Sequence, residues 1–193
     1  MTMTTPDLLT LAEARAALPL PASDTSKDAD LMDIYIPAAS SAVEQIIGPV
    51  IIREFTRNFD GGTCQIVLPH RNVLIVSQVI DLGTELEESE YVLDVVTGIL
   101  TKGFVNSPMP FFYGIKSVTV TWTAGIAADI SDVAPAIKLA TRIILAHLWR
   151  ADQQGHRPTP AAEVGVFTSP AGFAIPHRAA QLLSPWAHPA EIG

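Results

Sequence analysis

Apolar side chains recur at helical spacing most clearly in residues 132–150. Ile137 and Ile144 fall on one face of the predicted helix, and Ile143 falls on a second apolar face beside it. Pro135 suits the first turn, where a missing N–H costs nothing. A helix that is apolar on two sides needs packing partners on both, so it is either the central helix of one domain or partly covered by a neighbouring subunit.

Two shorter helical patterns precede this one. Thr10 and Glu13 have the spacing of a capping box and predict a short helix over residues 10–18. Apolar positions then recur at helical spacing over residues 27–47. Pro37 interrupts that second pattern, and we expect either a kink or two shorter helices meeting there.

The apolar period changes to two after residue 50, which predicts strands. Residues 51–59 and 64–68 flank a glycine-containing turn and predict one hairpin, and residues 91–102 predict a second hairpin. Further strands are expected at residues 73–81 and 115–123. Pairing between neighbours in sequence makes this region antiparallel.

The order of these elements predicts an α+β fold. We expect a small helical bundle of two N-terminal helices and one long C-terminal helix at residues 133–151, with an inserted antiparallel β region at residues 51–123. Residues 1–154 would form this main domain. Residues 155–193 would form a linker and an extended C-terminal tail.

The tail is apolar but too short to build its own core. It therefore either folds back on its own domain or docks onto a partner. The side chains expected to anchor it are Phe167, Phe173, Ile175, Leu182, Leu183 and Trp186.

Composition narrows the classes of partner. Twelve basic and 20 acidic side chains give a net charge of −8, which disfavours nucleic-acid binding. The single cysteine, Cys64, excludes an internal disulfide. Charged residues interrupt the main helix, so we expect no membrane span, and the N-terminal residues lack a signal-peptide pattern. The acidic residues 85–90 are expected to form a solvated turn.

Sequence motifs for catalysis and for metal or cofactor binding are absent. The five histidines have no pair at the i, i+3 or i+4 spacing of metal ligands on one helical face. His147 and Asp152 could act as a base and its orienting carboxylate only if they shared a helical face, but Asp152 is five residues on and lies off the His147 face. We predict no catalytic, metal or cofactor site.

The order of five segments resembles the head–tail connector (adaptor, head completion) proteins of long-tailed bacteriophages. These segments read LTLAEARAAL, VEQIIG, YVLDVVTGIL, VTVTWTAG and VAPAIKLATRIILAHLWR. The resemblance covers roughly residues 8–152. The tail sequence AGFAIPHRA is also similar to the C-terminal segment of adaptors from phages of actinobacteria.

The resemblance implies a non-enzymatic ring of about twelve subunits in the virion, at the head–tail interface, assembled in the host cytoplasm. Such a ring docks on the portal protein, presents the β region to the stopper or tail-side connector, and lets DNA pass without specific binding. The portal contact would fall on Gly172, Phe173, Ile175, Pro176 and Arg178. Together with the tail anchors Phe167, Leu182, Leu183 and Trp186, these form the predicted portal-binding set.

Two alternatives stay open from the sequence. The chain could be a small enzyme or ligand-binding domain with a site between the β region and the main helix. It could also be a different virion protein, a tail terminator or stopper.

Overall fold

The computed structural model describes residues 5–21, 23–70, 72–104, 106–154 and 175–187. The chain folds as two compact units. We call the first, Met1–Ile47 with Val133–Gly193, the helical unit, and the second, Gly48–Asp132, the β unit.

The helical unit contains five helices, within the described residues. A π-helical turn at Leu31–Tyr35 joins the second to the third. The helices are α1 (Leu11–Ala16), α2 (Asp28–Asp30), α3 (Ile36–Ile47), α4 (Pro135–Gln154) and α5 (His177–Leu183).

The capping box predicted at the start of α1 is confirmed. The Glu13 N–H donates to Thr10 Oγ1 at 3.2 Å, and the Thr10 N–H donates to Glu13 Oε2 at 2.9 Å. The other carboxylate oxygen of Glu13 accepts from Lys138 Nζ of α4 at 2.9 Å. One side chain therefore both caps α1 and ties it to α4.

Pro37 widens the helix around it instead of ending it. The Ile36 N–H donates to the carbonyl of Leu31, five residues back, as in a π-helix. Proline lacks an N–H, and its ring crowds the carbonyl four residues before it. The wider turn at Leu31–Tyr35 relieves this crowding, and the chain continues into α3.

The core of the helical unit is formed where α3, α4 and α5 pack together. Tyr35 lies edge-on to Trp149 with ring centroids 5.0 Å apart, and its hydroxyl donates to Asp152 Oδ2 at 2.6 Å. Burial, followed by this hydrogen bond, raises the pKa of Tyr35 to about 12. Fully buried apolar residues of this core include Leu31, Ile36, Val43, Ile47, Ile137, Ile144, Leu145, Ala179 and Leu183.

The β unit contains two antiparallel sheets of four strands. In the first sheet the order is β1-β8-β3-β4, and in the second it is β2-β6-β5 with β7 paired to β6. The strands are β1 (Arg53–Phe59), β2 (Gln65–Val67), β3 (Val73–Asp81), β4 (Thr84–Glu85), β5 (Tyr91–Asp94), β6 (Ile99–Phe104), β7 (Ser107–Pro108) and β8 (Val118–Ala124).

Trp122 lies in the core of the β unit. Its ring stacks on Phe55 at 5.9 Å between centroids and lies 6.1 Å from Phe59. Its indole N–H is buried and has no hydrogen-bond acceptor in the described part of the chain. Val118 and Val120 fill the same core from the same strand face. Alternation along β8 thus buries one face, as the sequence predicts.

The structure is α+β, but the predicted small helical bundle of two N-terminal helices and one long C-terminal helix is wrong. The β unit has a core and two sheets of its own, while four of the five described helices have 12 residues or fewer. The helix that we expected to be last is followed by α5, which packs against it. Helical periodicity reveals a buried face but not how much of the core the strands supply.

One predicted hairpin is also wrong and the other is confirmed. β1 pairs with β8, and β2 lies in the other sheet, so residues 51–59 and 64–68 do not form a hairpin. β5 and β6 pair as predicted, with Asp94 opposite Ile99 across a turn at Gly98. The glycine-containing loop before β2 serves a different contact, described below.

The first and last strands of the β unit are neighbours. Arg53 pairs with Ala124, and the Ile52 N–H donates to the Ala127 carbonyl at 2.9 Å. Gly125 lies at this crossing with φ +152°, and a Cβ there would come within 2.5 Å of the Ile52 backbone. Only glycine allows the two chain segments to approach this closely.

Candidate functional site

The predicted portal-binding residues divide into described and undescribed ones. Phe167, Gly172 and Phe173 lie outside the described residues. Ile175 and Pro176 are half-buried and lead into α5. Arg178 on α5 is exposed, and Leu182 and Trp186 are half-buried. Leu183 is fully buried.

α5 has one buried face and one exposed face. Ala179 and Leu183, four residues apart, are fully buried, and α5 packs on α4 and α3. Arg178 and Gln181 point to solvent. A partner can therefore reach Arg178 directly in this conformation, whereas Leu183 contributes to the helical unit. The assignment of these residues to portal binding stays a prediction.

Sequence reasoning missed a second surface, which we call the aromatic loop, residues 109–116. Its side chains are unusually exposed for their size: Tyr113 is 93% exposed, Ile115 87% and Phe112 58%. Phe111 is instead buried in the β-unit core and anchors the loop. Exposed apolar groups clustered in this way are typical of protein-binding sites.

Hydrogen bonds hold the aromatic loop in place from three directions. The Phe112 N–H donates to Asp81 Oδ1 at 3.1 Å, and the Lys116 N–H donates to Asp60 Oδ1 at 2.7 Å. Ser117 Oγ donates to the Phe112 carbonyl at 2.9 Å. A loop fixed in this way loses little conformational entropy when a partner binds.

Asp81 is the buried centre of this arrangement, with 1% of its surface exposed. Its carboxylate accepts from Lys102 Nζ at 2.6 Å as well as from the Phe112 N–H. A carboxylate out of water requires such partners, because an unpaired buried charge is costly. The pair therefore links β3, β6 and the aromatic loop.

Gly61 is the second support of the aromatic loop. Its N–H donates to the Gly114 carbonyl at 2.9 Å, and a Cβ at this position would lie 1.9 Å from the Phe112 carbonyl oxygen. No side chain larger than hydrogen fits there without moving the loop. Gly61, which the sequence places in a predicted hairpin turn, is needed instead for this close approach.

Charges divide between the two edges of the first sheet. Glu85, Glu87, Glu88 and Glu90 follow β3 and are exposed. Burial, followed by the negative charges of Glu88 and Glu85, raises the pKa of Tyr91 beside them. We call residues 84–90 the acidic segment. The four glutamates of the predicted solvated turn at residues 85–90 are exposed as predicted, while Leu86 between them packs half-buried against the β-unit core.

The opposite edge of that sheet carries positive charge. Arg57 of β1 and Lys116 of the aromatic loop line an open concavity of about 450 Å³ with Thr56 and Asn58. Both cationic side chains are exposed. Two exposed cations therefore lie at one sheet edge, where Glu54 and Asp60 are also exposed, and a run of four exposed glutamates lies at the other.

Among the described residues no three His, Cys, Asp or Glu side chains lie close enough together to hold a metal ion. None of the described helices has the length and apolar character to cross a membrane. The exposed groups gathered by the fold are aromatic and charged side chains, which bind proteins by contact and complementarity.

Comparison with known proteins gives matches among solved structures only. No protein-family model matches the chain, and no curated protein matches it. A structure from the neck of an empty gene transfer agent (GTA) particle, computed with C6 symmetry, matches with a TM-score of 0.67 and 20% identity over 100% of this chain and 96% of that chain.

Two further structures match nearly as fully. A chain in the virion of a native GTA particle has a TM-score of 0.67 and 20% identity, over 96% of this chain and 92% of its own. A chain in the neck of a native GTA particle, computed with C12 symmetry, has a TM-score of 0.60 and 19% identity, over 99% and 98%.

The chain has the fold of these neck proteins. At this level of identity the similarity establishes the fold. The resemblance to head–tail connector proteins, drawn from five sequence segments, is confirmed at that level. The structural similarity extends beyond residues 8–152, since the three matches cover 100%, 96% and 99% of this chain.

Proposed function

We propose that this protein is a structural component of a phage-like virion, located at the head–tail interface and assembled in the host cytoplasm. The observation that carries the proposal is the match to a neck structure over 100% of this chain and 96% of that chain, which includes the helical unit and the β unit. A match to one unit alone would fit many unrelated proteins.

In finer detail, the protein forms a ring of about twelve subunits between the portal and the stopper or tail. Two of the matching necks were computed with C6 and C12 symmetry, which supports a cyclic arrangement of copies. The net charge of −8 suits a ring through which DNA passes without being held, because like charges repel. The protein acts without catalysis or a cofactor.

The two candidate surfaces have different partners in this proposal. The connector domain, residues 1–154, presents the aromatic loop to the stopper or tail-side connector. The C-terminal segment, residues 155–193, binds the portal protein through its exposed side chains, which include Arg178 on α5. The fixed geometry of the aromatic loop supports its role, since a preordered apolar surface binds at lower entropic cost.

Electron microscopy of virions carrying a label on this protein tests the proposal. We expect the label at the junction of head and tail, and we expect particles made without the protein to contain filled heads without tails. A label on the capsid surface or on the distal tail would contradict the proposal.

Paired binding measurements separate the two partners. Arg178→Glu should weaken portal binding about tenfold and leave binding to the tail-side partner unchanged. The double variant Tyr113→Ser/Ile115→Ser should weaken tail-side binding about thirtyfold and leave portal binding unchanged.

Arg150→Glu is the matched control for the charge reversal, because Arg150 is exposed on α4. It should change neither affinity. If Arg178→Glu and the loop variant weakened both partners alike, the division of surfaces would be wrong. If neither variant affected either partner, both partner assignments would be wrong.

A further inference from the structure

The first sheet of the β unit has two open edges. β1 pairs with β8 on one side, and no described strand pairs with its other side. At the opposite edge β4 pairs only with Ile80 and Asp81, so Leu74 and Ile75 of β3 lie beyond the reach of β4. Open strand edges present unpaired N–H and C=O groups to a further strand.

The β1 edge carries two exposed cations, Arg57 and Lys116. The nearby carboxylates keep their charge but are turned elsewhere: Asp60 accepts from the Lys116 N–H, and Glu54 reaches across the sheet to within 3.5 Å of Ser77 Oγ on β3. The Arg57 guanidinium lies 5.8 Å from the ring centroid of Phe59, two residues along the same strand. This edge is therefore suited to an acidic, strand-like surface.

The β3–β4 edge offers such a surface. Leu74 and Ile75 are large apolar side chains that stand exposed, and a concavity of about 390 Å³ is lined by Ile75 together with Glu85, Glu87 and Glu88. The open edge of β3 can pair with the open edge of β1, and the glutamates beside it are opposite in charge to Arg57 and Lys116.

We propose that the β1 edge of one copy docks against the β3–β4 edge of a second copy, with Arg57 and Lys116 facing Glu85 and Glu88. Because the two edges differ, each copy uses both, and the contact is heterologous. Such a contact continues from copy to copy and closes into a ring if the rotation per copy allows it. The inference rests on the proposed ring and names the faces that join its subunits.

A charge-reversal cycle tests this contact on the full chain. Self-association is measured by sedimentation, alone and with the portal protein present. Arg57→Glu/Lys116→Glu should weaken it about tenfold, and Glu85→Lys/Glu88→Lys should weaken it by a similar factor. All four substitutions in one chain restore opposite charges across the contact, so association should return to within about threefold of the unmodified chain.

The matched control is Arg150→Glu/Asp33→Lys, which reverses two exposed charges in the helical unit. It should not change self-association. A loss as large as that of the edge variants would overturn the inference, as would failure of the four-substitution chain to recover.

Zero-length carbodiimide cross-linking provides an independent measurement. In a mixture of ¹⁴N- and ¹⁵N-labelled chains, we expect mixed-isotope peptides joining Lys116 to Glu85 or Glu88. If oligomers form without this cross-link and reversal has no effect, the edge contact is wrong while the proposed ring stands. If the unmodified chain forms no oligomers under either condition, the ring and the edge contact are both wrong.

Discussion

The two units differ in how far apart in sequence their stabilising contacts lie. In the helical unit, Thr10 and Glu13 cap α1 across a single helical turn. In the β unit, Phe55 of β1 pairs with Trp122 of β8, from opposite ends of the unit. Local contacts form at small entropic cost, whereas the pairing of distant strands must first close a long loop.

The units also differ in their buried polar groups. Ser40 and Thr141 in the helical unit are neutral. The Ser40 hydroxyl accepts from the Leu8 N–H, and the Thr141 hydroxyl donates to the Ile137 carbonyl. The β unit instead buries the charged pair of Asp81 and Lys102. Replacing such a pair by apolar residues often stabilises a protein, so its value here lies in fixing the aromatic loop. The helical unit is a packed scaffold, and the β unit positions exposed groups.

The largest effect should come from removing the centre of the β-unit core. Trp122→Ala should lower the free energy of unfolding by about 4 kcal/mol, because it removes a large buried ring and leaves a cavity. Hydrogen exchange should increase in the β unit while α4 amides stay protected.

Trp122→Phe is the matched control. It keeps an aromatic ring and removes the buried indole N–H that lacks an acceptor in the described structure, so it should cost much less. Ile144→Ala should give the opposite exchange pattern, with loss of protection in the helical unit. Equal loss of protection in both units under either alanine variant would show that they unfold as one body.

An intermediate effect should come from the buried charge pair. Asp81→Ala leaves Lys102 and the Phe112 N–H without their carboxylate partner and should cost about 3 kcal/mol. Urea denaturation measures the loss. In addition, NMR signals of Tyr113 should broaden or shift, because the aromatic loop is no longer fixed.

Asp81→Asn keeps an acceptor for the Phe112 N–H and should cost about half as much. An Asp81→Ala variant of unchanged stability and unchanged Tyr113 signals would remove the contrast between a positioning unit and a scaffold unit.

The smallest effect should come from the α1 cap. The Thr10 N–H, followed by Lys138 and the Thr10 hydroxyl, outweighs partial burial and lowers the pKa of Glu13 below its ordinary 4.5. A lowered pKa in the folded state adds stability above pH 4.5, and this stability is lost as the pH falls through the folded value.

Glu13→Gln should therefore lower the thermal midpoint slightly at pH 7, by the equivalent of about 0.5 kcal/mol, and the difference should narrow below pH 4.5. Thr10→Ser keeps the capping hydroxyl and serves as the control. A difference between Glu13→Gln and the unmodified chain that stayed constant down to pH 3 would contradict the electrostatic origin of the effect.

The sequence predicted local features well. The α1 capping box follows from two residues three positions apart, and the β5–β6 hairpin follows from a glycine turn between short apolar runs. These features depend on neighbours in the chain, which a sequence displays directly.

Long-range features could not be predicted in the same way. The sequence around Gly61 does not show whether a glycine is needed there for a hairpin turn or for the close approach of the Phe112 carbonyl in the aromatic loop. Asp81 looks like an ordinary strand-ending carboxylate until Lys102 and the aromatic loop are placed around it. The position and exposure of the aromatic loop depend on such contacts, so the sequence alone named tail residues and the β region as a whole and missed this loop.

The crossing at Gly125 brings the two ends of the β unit close together, so the unit can be exchanged as a module. The backbone leaves the helical part of the sequence before β1 and returns to it after β8 at neighbouring positions, with Arg53 opposite Ala124. A short linker can therefore bridge the gap if the whole module is cut out, and a different module whose ends lie equally close can be grafted in its place. Interchange of this kind would let one helical unit carry different exposed loops without redesign of its own core.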